Sequence, residues 1–464
     1  MKSTCLLLIA LVVVNAPAPT ARVAAPVPVV LLSIDGLKPD YIIEADKYGL
    51  KIPNLRRLLK EGSYATGVHG VLPTVTYPSH TTMITGVSPS RHGVYYNTTF
   101  DPLNKNQTGW YWYSEDIRVE TLWDAARKAR LVTASVDWPA TVSANVDYNI
   151  AQYWRATTED DHKLLRALST PGLLAEAERD CGRYPSGDDF TFESDKKRAE
   201  FISWVLVQKR PRLMTCYFGG LDTEEHSSGP YSAKTFAGLE ELDAMVGRVR
   251  AAAEKAGQGR AILCVVSDHG FAKVTRELRL NVALMQAGLI ESGERDHIKS
   301  WKAVSWGSGG TAAIMLKEPS DAETRRAVRK VLDDLRSHPE SGILQVLDNQ
   351  QSKKLGGFPD AAFVVAMKPG WVINGSISGQ QVTAALETVR GAHGYLPDQP
   401  EMESSFFIAG GSIPAGNNLG KIDMRDIAPT IAGLLGLRLP NAEGKNLFAS
   451  ASDRPGPRAT RRLN

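Results

Sequence analysis

The sequence predicts an α/β fold built on a mostly parallel sheet with helices on both faces. Short apolar runs that are typical of buried strands alternate with longer segments in which apolar residues recur at helical spacing. Such alternation is typical of parallel strands that are connected by helices. The length of 464 residues is ample for one large core. Aspartate and histidine residues follow several of the runs, and in such sheets the segments after the strands gather into one crevice.

The predicted elements follow one another along the whole chain. The first half begins with a buried strand and a helix that carries three leucines on one face, and the elements lie at 28–34, 54–61, 80–85, 119–128, 131–136, 201–208 and 213–218. The second half begins with a long helix and a buried strand and ends with a closing helix, and its elements lie at 233–254, 261–266, 311–316, 322–335, 361–366, 405–409 and 426–435. The strands are expected to form a largely parallel sheet.

Two segments break this alternation and are predicted to be cap-like insertions near a functional site. Residues 97–118 are polar and aromatic with weak periodicity, and residues 140–200 are mostly polar. The sequence has neither an internal repeat nor a long linker, so residues 26–450 are expected to form one domain with an insertion at roughly 140–200. The basic tail at 451–464 contains proline and glycine and is predicted to be disordered.

The N-terminus has the organisation of a targeting segment. Lys2 precedes an apolar run at 5–14 and an alanine- and proline-rich stretch at 15–28. This order is typical of a secretory signal peptide, which we predict to cover residues 1–25. The apolar run is too short to span a bilayer, and no other stretch reaches the length of a transmembrane helix. We therefore expect a secreted or periplasmic protein whose mature chain has no membrane span.

Charge and cysteine content exclude several classes of protein. The formal net charge of +3 is small for this length, so it does not favour binding to a nucleic-acid polymer or to a membrane surface. Three cysteines follow the predicted signal peptide, Cys181, Cys216 and Cys264, and none has CxxC spacing. The chain is therefore not a disulfide scaffold.

Carboxylates, imidazoles and one hydroxyl stand close to the ends of apolar or turn-bounded runs. Three aspartates, three histidines and a hydroxyl suit a pair of divalent ions that activate an alcohol against an anionic ester. The set comprises Asp35 in VVLLSIDG, Thr76 in LPTVTYPSH, Asp222 and His226 in CYFGGLDTEEH, Asp268 and His269 in ILCVVSDHG, and His393 in GAHGY.

The local sequence favours a ligand role most strongly for Asp268 and His269. They follow five apolar residues, at a strand end where core packing has little use for either side chain. Asp35 also follows a strand, but taken alone it fits a helix N-cap better.

The other two histidines depend more on their surroundings. Asp222 and His226 are four residues apart and converge if a helical turn begins after the preceding glycines. Glu224 and Glu225 lie between them and are predicted to be solvated helix charges. His393 lies between glycines and fits a ligand and a structural histidine equally well.

The hydroxyl stands in a segment that leads into a short helix. A hydroxyl at a helix start gains from the helix dipole and from free amide groups, although a simple cap accounts for it as well. The local sequence alone does not show which of Thr74, Thr76 and Ser79 is the reactive residue. His80 and His92 are predicted to serve packing or turns.

Taken together and in this order, these motifs resemble the nucleotide pyrophosphatase/phosphodiesterase family of the alkaline phosphatase superfamily. The resemblance implies an alkaline-phosphatase-like α/β fold and a metal-dependent hydrolase of phosphodiester or pyrophosphate bonds. It spans residues from about 29 to 448 and rests on SIDG at 33–36, PTVTYPSH at 73–80, TGVSPSRHGVYYN at 85–97, LDTEEHSSGP at 221–230, SDHG at 267–270, GAHGY at 391–395 and IDMRDIAPTIAGLLG at 422–436.

The resemblance implies a role for each residue of the set. Thr76 is implied to be the nucleophile that forms a phospho-threonine intermediate, and Asn97 to hold a non-bridging phosphoryl oxygen. Tyr77 is implied to stack on a nucleobase, with Tyr153 or Trp154 on its other face, although packing accounts equally well for the latter two. Two Zn²⁺ per chain are implied, the first held by Asp35, Asp268, His269 and the Thr76 oxygen, and the second by Asp222, His226 and His393.

The expected substrate is a small phosphodiester. Acidic residues at 159–161 would repel a dianion, and the basic run at 196–198 is predicted to be a solvated helix face, so a diester is favoured over a monoester. Nucleotide diesters or pyrophosphates are the favoured substrates, and phospholipid-headgroup diesters are the second candidate. The closest alternative function is that of a phosphomonoesterase, and a more distant alternative is a metal-binding protein without enzymatic activity. A sulfatase would need Cys or Ser in place of Thr76.

Overall fold

The computed structural model describes residues 27–107, 109–153, 158–185, 189–294 and 297–449. The predicted signal peptide at 1–25, the tail at 451–464 and Trp154 lie outside these residues. No helix in the described part of the chain combines the length and the apolar character that crossing a membrane requires.

The described elements alternate between strands and helices along most of the chain. The strands are β1 (Val29–Ile34), β2 (Gly62–Tyr64), β3 (Gly67–His69), β4 (Thr133–Val136), β5 (Tyr148–Ile150), β6 (Leu213–Phe218), β7 (Ile262–Val266), β8 (Ala272–Arg279), β9 (Ile290–Ser292), β10 (Ile298–Trp301), β11 (Ala303–Trp306), β12 (Thr311–Leu316), β13 (Ile343–Asp348), β14 (Phe363–Met367), β15 (Gly370–Asn374), β16 (Thr383–Ala392), β17 (Phe406–Gly410), β18 (Asn417–Asn418) and β19 (Lys421–Asp423). The helices are α1 (Pro39–Ile43), α2 (Ala45–Tyr48), α3 (Pro53–Glu61), α4 (Thr76–Thr85), α5 (Pro89–His92), α6 (Leu122–Lys128), α7 (Glu159–Leu168), α8 (Leu173–Cys181), α9 (Phe192–Lys209), α10 (Gly220–Ser228), α11 (Ala233–Ala256), α12 (Leu280–Gln286), α13 (Ala322–Arg336), α14 (Asn349–Lys354) and α15 (Ile427–Leu434).

The main sheet has eight strands in the order β18-β2-β17-β7-β1-β6-β4-β5. The five strands from β7 to β5 in this order are parallel, whereas β17 pairs antiparallel with β7 and with β2. The prediction of an α/β fold with a mostly parallel sheet and helices on both faces is confirmed.

Strand β1 forms because both of its faces are covered by apolar side chains. All six of its residues are buried. Val30, Leu32 and Ile34 contact a core that includes residues of α3, α9 and α11, whereas Val29 and Leu31 contact a second core with α4, α6 and α15. A strand that is buried on both faces reads as a continuous apolar run, which explains its prediction from the sequence.

The C-terminal half departs from the simplest expectation, which placed 311–316 and 361–366 in the parallel sheet. These residues form β12 and most of β14, which belong to a separate antiparallel sheet in the order β11-β12-β14-β13. Strands β15, β8 and β16 form a further three-stranded sheet, and both sheets enclose a third core. An apolar run predicts a strand, but its partners lie far away in the sequence, so the run does not reveal which sheet it joins.

The segment predicted to be an insertion at 140–200 contains β5, α7, α8 and the start of α9. Strand β5 ends one edge of the main sheet. Helix α9 packs along α11, and Leu165, Leu174 and Ala199 of this segment are buried in the main core. The C-terminal part of this segment therefore contributes to the main core as well as to the surface near the site.

Candidate active site

The loops after three neighbouring strands of the main sheet meet at one edge. Asp35 follows β1, the loop after β6 leads to Asp222, and Asp268 and His269 follow β7. These strands are adjacent and parallel, so their carboxyl ends lie side by side. The amide of Asp35 donates to the carbonyl of Phe218 across this edge at 2.9 Å. The topology therefore collects polar side chains from distant parts of the sequence.

Asp35, Asp268 and His269 form the first cluster of candidate metal ligands. The Nε2 atom of His269 lies 3.2 Å from Asp35 Oδ1 and 3.2 Å from Asp268 Oδ2. All three side chains are buried, and their donor atoms lie within 4.8 Å of one another. These are the three side chains that the family resemblance implies for one ion.

Asp222, His226 and His393 form the second cluster. The Nε2 atoms of His226 and His393 lie 3.2 Å apart, and Asp222 Oδ1 lies 3.4 Å and 3.6 Å from them. Asp222 and His226 are on α10, whereas His393 follows β16 of the three-stranded sheet. The rings of His269 and His393 stack with centroids 3.6 Å apart, so the two clusters adjoin.

The electrostatics of both clusters favour bound cations. Burial raises the pKa of Asp35, and the neighbouring carboxylates of Asp268 and Asp222 raise it further. Burial also lowers the pKa of His269 and of His393, so both imidazoles are neutral and able to accept. Four buried atoms that face the clusters have no hydrogen-bond partner: Asp35 Oδ1, Asp222 Oδ1, Asp268 Oδ2 and His269 Nε2. Unpaired buried acceptors are costly, and divalent cations would satisfy all four.

Backbone carbonyls orient the three imidazoles. The Nδ1 atoms of His226, His269 and His393 lie 3.1, 3.3 and 3.1 Å from the carbonyl oxygens of Gly391, Gly270 and Thr74, respectively. A carbonyl oxygen only accepts, so each Nδ1 carries the proton and each Nε2 keeps a free lone pair. Such contacts behind the ligands are typical of metal-binding histidines.

The hydroxyl residue Thr76 is the first residue of helix α4. Its side chain lines the same cavity as Asp35, Asp222 and His393. The amide of the next residue, Tyr77, donates to Asn97 Oδ1 at 2.9 Å. This bond fixes the orientation of the Asn97 amide group, so that its Nδ2 atom remains as a donor beside Thr76. The arrangement places a hydroxyl, a helix N-terminus and an amide donor together, which suits an anionic oxygen.

Two residues that the sequence did not assign to the site support its ligands. Tyr217 in β6 donates its hydroxyl to Asp35 Oδ2 at 2.6 Å. His80 is fully buried, and its Nδ1 donates to the carbonyl of Thr76 at 2.8 Å, while its Nε2 lies 2.9 Å from Ser33 Oγ. Thr76 and His80 are four residues apart on one helix, and residues at this spacing lie next to each other, so the sequence could have indicated this contact.

A buried charge cluster lies behind the loop that leads to Asp222. Asp195 accepts hydrogen bonds from the amides of Gly219 and Gly220 at 3.3 and 2.7 Å. Arg198 is fully buried and pairs with both Asp195 and Asp137. The prediction that the run 196–198 is a solvated helix face is therefore wrong for Arg198, because this side chain points into the core, where two buried carboxylates pair with it. The lysines of this run do pair with glutamates on the surface.

Glu225 also differs from its predicted role as a solvated charge. It is fully buried, and Tyr41 donates to its Oε1 at 2.5 Å. Burial raises the pKa of this carboxyl well above its ordinary value. Glu224, in contrast, is partly exposed and accepts from Ser228. Adjacent residues of an amphipathic helix can differ in whether they face the core or the solvent. Helix α10 has only nine residues, which are too few for the sequence pattern to show which of them face the core.

The aromatic residues that the family resemblance places around a base are packed into the protein. Tyr77 is fully buried, its hydroxyl donates to Gln152 at 2.7 Å, and its ring lies against Trp110 with centroids 5.4 Å apart. Tyr153 is buried against Trp112 at 4.6 Å. Because both rings are buried, Tyr77 and Tyr153 do not form an open slot, and the rings that line the smaller cavity are those of Trp110, Phe190 and Tyr217.

Two cavities meet at the candidate centre. The smaller, about 470 Å³, is lined by Asp35, Thr76 and Asp222 together with Phe190 and its neighbours. The larger, about 880 Å³, extends away between residues 96–102 and 305–309. Both are lined by Asn97, Trp110, His226 and His393.

The acidic residues at 159–161 line neither cavity. They form the first turn of α7, where Thr158 is the N-cap residue and its amide donates to Asp161 Oδ2 at 3.0 Å. Glu159 pairs with Arg183, and Asp160 pairs with Lys163. The charge argument against monoesters that was based on this stretch therefore does not apply at the site.

Comparison with known proteins adds a sequence relationship to this geometry. A family model described as type I phosphodiesterase/nucleotide pyrophosphatase matches residues 29–396. Ectonucleotide pyrophosphatase/phosphodiesterase family member 1 from Homo sapiens is 26% identical over 268 residues, which are 55% of this chain and 25% of that protein. Human family member 5 is 24% identical over 255 residues, 54% of this chain and 46% of that protein. The chain thus spans about a quarter of the first of these relatives and less than half of the second.

Solved structures share the fold over most of the chain. Murine ectonucleotide pyrophosphatase/phosphodiesterase 5, in an inactive threonine-to-alanine variant in complex with AMP, superimposes with a TM-score of 0.65 at 21% identity and covers 90% of this chain and 97% of that chain. The human counterpart gives a TM-score of 0.65 at 19% identity with the same coverage.

Proposed function

Since the chain belongs to the type I phosphodiesterase/nucleotide pyrophosphatase family, we propose that it hydrolyses phosphodiester or pyrophosphate bonds of small nucleotide-type substrates. The observation that carries this proposal is that one cavity is lined by Thr76 and Asn97 together with Asp35 of the first cluster and the three ligands of the second. A metal-binding protein without activity would need the clusters but neither a hydroxyl at a helix start nor an amide donor beside it.

The chain's own residues would hold two divalent cations, in our proposal Zn²⁺. Asp35, Asp268 and His269 would bind one, with Thr76 beside it, and Asp222, His226 and His393 would bind the other. Nitrogen and carboxylate donors of this kind suit zinc. When bound, such ions lower the pKa of a neighbouring hydroxyl and neutralise charge on a phosphoryl group.

Thr76 would act as the nucleophile in two successive displacements. Its Oγ forms a bond to phosphorus while the bond from phosphorus to the leaving-group oxygen breaks; the hydroxyl proton passes to solvent, and the leaving group departs with the electron pair of the broken bond. A water molecule then attacks phosphorus, the bond to Thr76 Oγ breaks, and Thr76 regains a proton. The Nδ2 donor of Asn97 and the backbone amide of Thr76 would stabilise the phosphoryl oxygens in both steps. The inactive threonine-to-alanine variant of the murine relative supports this role.

The composition of the smaller cavity supports a diester over a monoester. Its described lining contains no lysine or arginine that would pair with a second negative charge of a monoester. The murine relative in complex with AMP supports a nucleotide as the organic part. A phospholipid-headgroup diester remains the second candidate substrate, and no described residue favours it specifically.

We further propose that the protein is exported. The pattern of residues 1–25 and the ecto-type names of the relatives support a secreted or periplasmic location. Residues 26–450 would then form the mature domain.

A substrate panel tests the proposed reaction. Zinc-loaded protein is assayed with the p-nitrophenyl ester of thymidine 5′-monophosphate, with ATP and with p-nitrophenyl phosphate. We expect kcat/KM for the two nucleotides to exceed that for the monoester, and Thr76→Ala to lower turnover by at least about 1,000-fold while zinc content and melting temperature are kept. Equal turnover by Thr76→Ala and the wild type would contradict the mechanism, and a preference for the monoester would contradict the substrate class.

A further inference from the structure

Phe271 is a fully buried side chain that lies directly beside the two clusters. It follows His269 by two residues and lies between β7 and β8, where the chain passes from the main sheet to the three-stranded sheet. A ring of this size is ordinarily buried among apolar side chains. Among the described residues, however, none of the three apolar cores includes Phe271. The reason for its burial must therefore lie in its other neighbours.

The ring of Phe271 contacts all three imidazoles of the metal-ligand clusters. Its centroid lies 5.0 Å from that of His226, 5.6 Å from that of His269 and 5.2 Å from that of His393. The three interplanar angles are 76°, 63° and 66°, so each contact is edge-to-face. Aromatic rings prefer this arrangement at such distances. One ring thus touches one ligand of the first cluster and two ligands of the second.

Two glycines lie against opposite edges of this ring. A Cβ atom at Gly36 would lie 2.7 Å from Phe271 Cε2, and one at Gly391 would lie 2.9 Å from Phe271 Cδ1, so a side chain at either position would displace the ring. Gly36 directly follows Asp35, and the carbonyl of Gly391 accepts from Nδ1 of His226. The ring therefore fills the space between a segment of the first cluster and a segment of the second.

The backbone around Phe271 is anchored as well. Nζ of the buried Lys38 donates to the carbonyl of Phe271 at 3.5 Å and to that of Glu401 at 3.0 Å. The amide of the preceding residue, Gly270, donates to the carbonyl of Met402 at 3.2 Å. A shift of the ring would have to break these buried hydrogen bonds, so the ring is a rigid support.

The carbonyl contacts of the imidazoles leave a freedom that the ring removes. Each Nδ1 atom is bound to a backbone carbonyl, which fixes that atom but still lets the imidazole turn about the hydrogen bond. Such a turn would move Nε2, the atom that is left to bind an ion. Contact with Phe271 blocks this turn for all three rings. Phe271 is not among the described residues that line either cavity, so it acts on the reaction only through the imidazoles.

We propose that Phe271 is a positioning residue that fixes the planes of the three imidazoles and, with them, the spacing of the two ions. The inference rests on the proposed function, because it takes the two clusters as metal sites. The second cluster depends on the ring more than the first, since two of its three ligands contact Phe271 and only one ligand of the first does. Loss of the ring should therefore empty the second site before the first.

The variant Phe271→Leu removes the ring and keeps an apolar side chain. Zinc bound after equilibrium dialysis at a series of free zinc concentrations gives the affinity of each site. We expect the second site to lose about 10- to 100-fold in affinity, as metal sites do when groups behind their ligands are lost, and the first site to lose at most about three-fold. Excess zinc should restore hydrolysis of the p-nitrophenyl ester of thymidine 5′-monophosphate, which it would not do if the variant were merely misfolded.

Removing one carboxylate from each cluster identifies the site that stays occupied. At limiting zinc, Phe271→Leu combined with Asp222→Asn should keep one ion, whereas Phe271→Leu combined with Asp268→Asn should keep none. The matched control is Phe407→Leu, which changes a phenylalanine that is fully buried in the main core and whose described ring contact is with Tyr64. The control should lower the melting temperature by a similar amount and keep both zinc affinities.

A second variant guards against loss of folding. If Phe271→Leu does not fold, Phe271→Met fills a similar volume without a ring and should lose the two ions in the same order. Unchanged zinc affinities, an equal loss at both sites, or a loss that Phe407→Leu reproduces would overturn the role of Phe271 and leave the metal sites in place. A wild type that binds no zinc would instead contradict the proposed function.

Discussion

Asp195 provides a quantitative test of how the ligand loop is positioned. The change Asp195→Asn replaces a buried carboxylate that accepts from the amides of Gly219 and Gly220 and pairs with Arg198. The asparagine keeps one acceptor oxygen, so one of the two buried amides loses its partner, at a cost of about 1–3 kcal/mol. The guanidinium of Arg198 also keeps Asp137 as its only carboxylate partner among the described residues. Breaking one side of a buried ion pair costs about 3–5 kcal/mol in total.

We therefore expect Asp195→Asn to lower the free energy of unfolding by about 3–5 kcal/mol, measured by urea denaturation of the zinc-loaded protein. Because Gly220 begins the helix that carries Asp222 and His226, the zinc affinity should also fall, by about 10- to 100-fold, as it does when groups behind metal ligands are lost. Lys196→Gln on the exposed face of α9, the helix that carries Asp195, serves as the control and should change neither quantity. A loss of stability below 1 kcal/mol with unchanged zinc affinity would refute the reasoning.

Three further perturbations test the core and the metal clusters. Burial lowers the pKa of His92 to about 3 from its ordinary 6.5, so the unfolded chain takes up a proton below pH 6.5 that the folded chain refuses, and stability should fall by up to about 1.4 kcal/mol per pH unit between pH 6.5 and 4. Denaturation across this range should show a shallower fall for His92→Gln and an unchanged one for the exposed His338→Gln; parallel curves for His92→Gln and the wild type would contradict the assignment. Gly238→Ala, which ordinarily stabilises a helix, should destabilise the protein by about 1–3 kcal/mol in urea, because a Cβ at this position would overlap the ring of Phe192. Chelation of the bound ions should lower the melting temperature, and zinc should restore it together with activity, whereas chelation without effect on either would refute the two clusters as metal sites.

The sequence allowed prediction of those parts of the fold and site that depend on local pattern. Strands β1, β6 and β7 are apolar runs, and the polar residues after them are found together at one edge of the sheet, because parallel strands direct their carboxyl ends to the same side. His393 lies with them although it comes from another sheet. Only the family resemblance assigned it to an ion, because its own sequence window fits a structural histidine as well.

The parts that sequence reasoning missed depend on contacts between distant segments. Arg198 and Glu225 occupy charged stretches, and only the packing of α9 and α10 shows that they are buried. Tyr77 follows the candidate nucleophile, but its exposure is decided by Trp110, which lies more than 30 residues further along the chain. The antiparallel sheet that contains β12 and β14 could likewise not be predicted, because it depends on which strands pair with each other and not on the composition of each strand.

The two metal-ligand clusters differ in how much of the chain must be synthesised before all of their ligands are present. All three ligands of the first lie within the first 269 residues, just after strands that are neighbours in the sheet. The second also needs His393, which reaches the centre only when β16 has paired with β8. The ligands of the first cluster are therefore all present while about two fifths of the chain has still to be added, whereas the second cluster is complete only once β16 is in place.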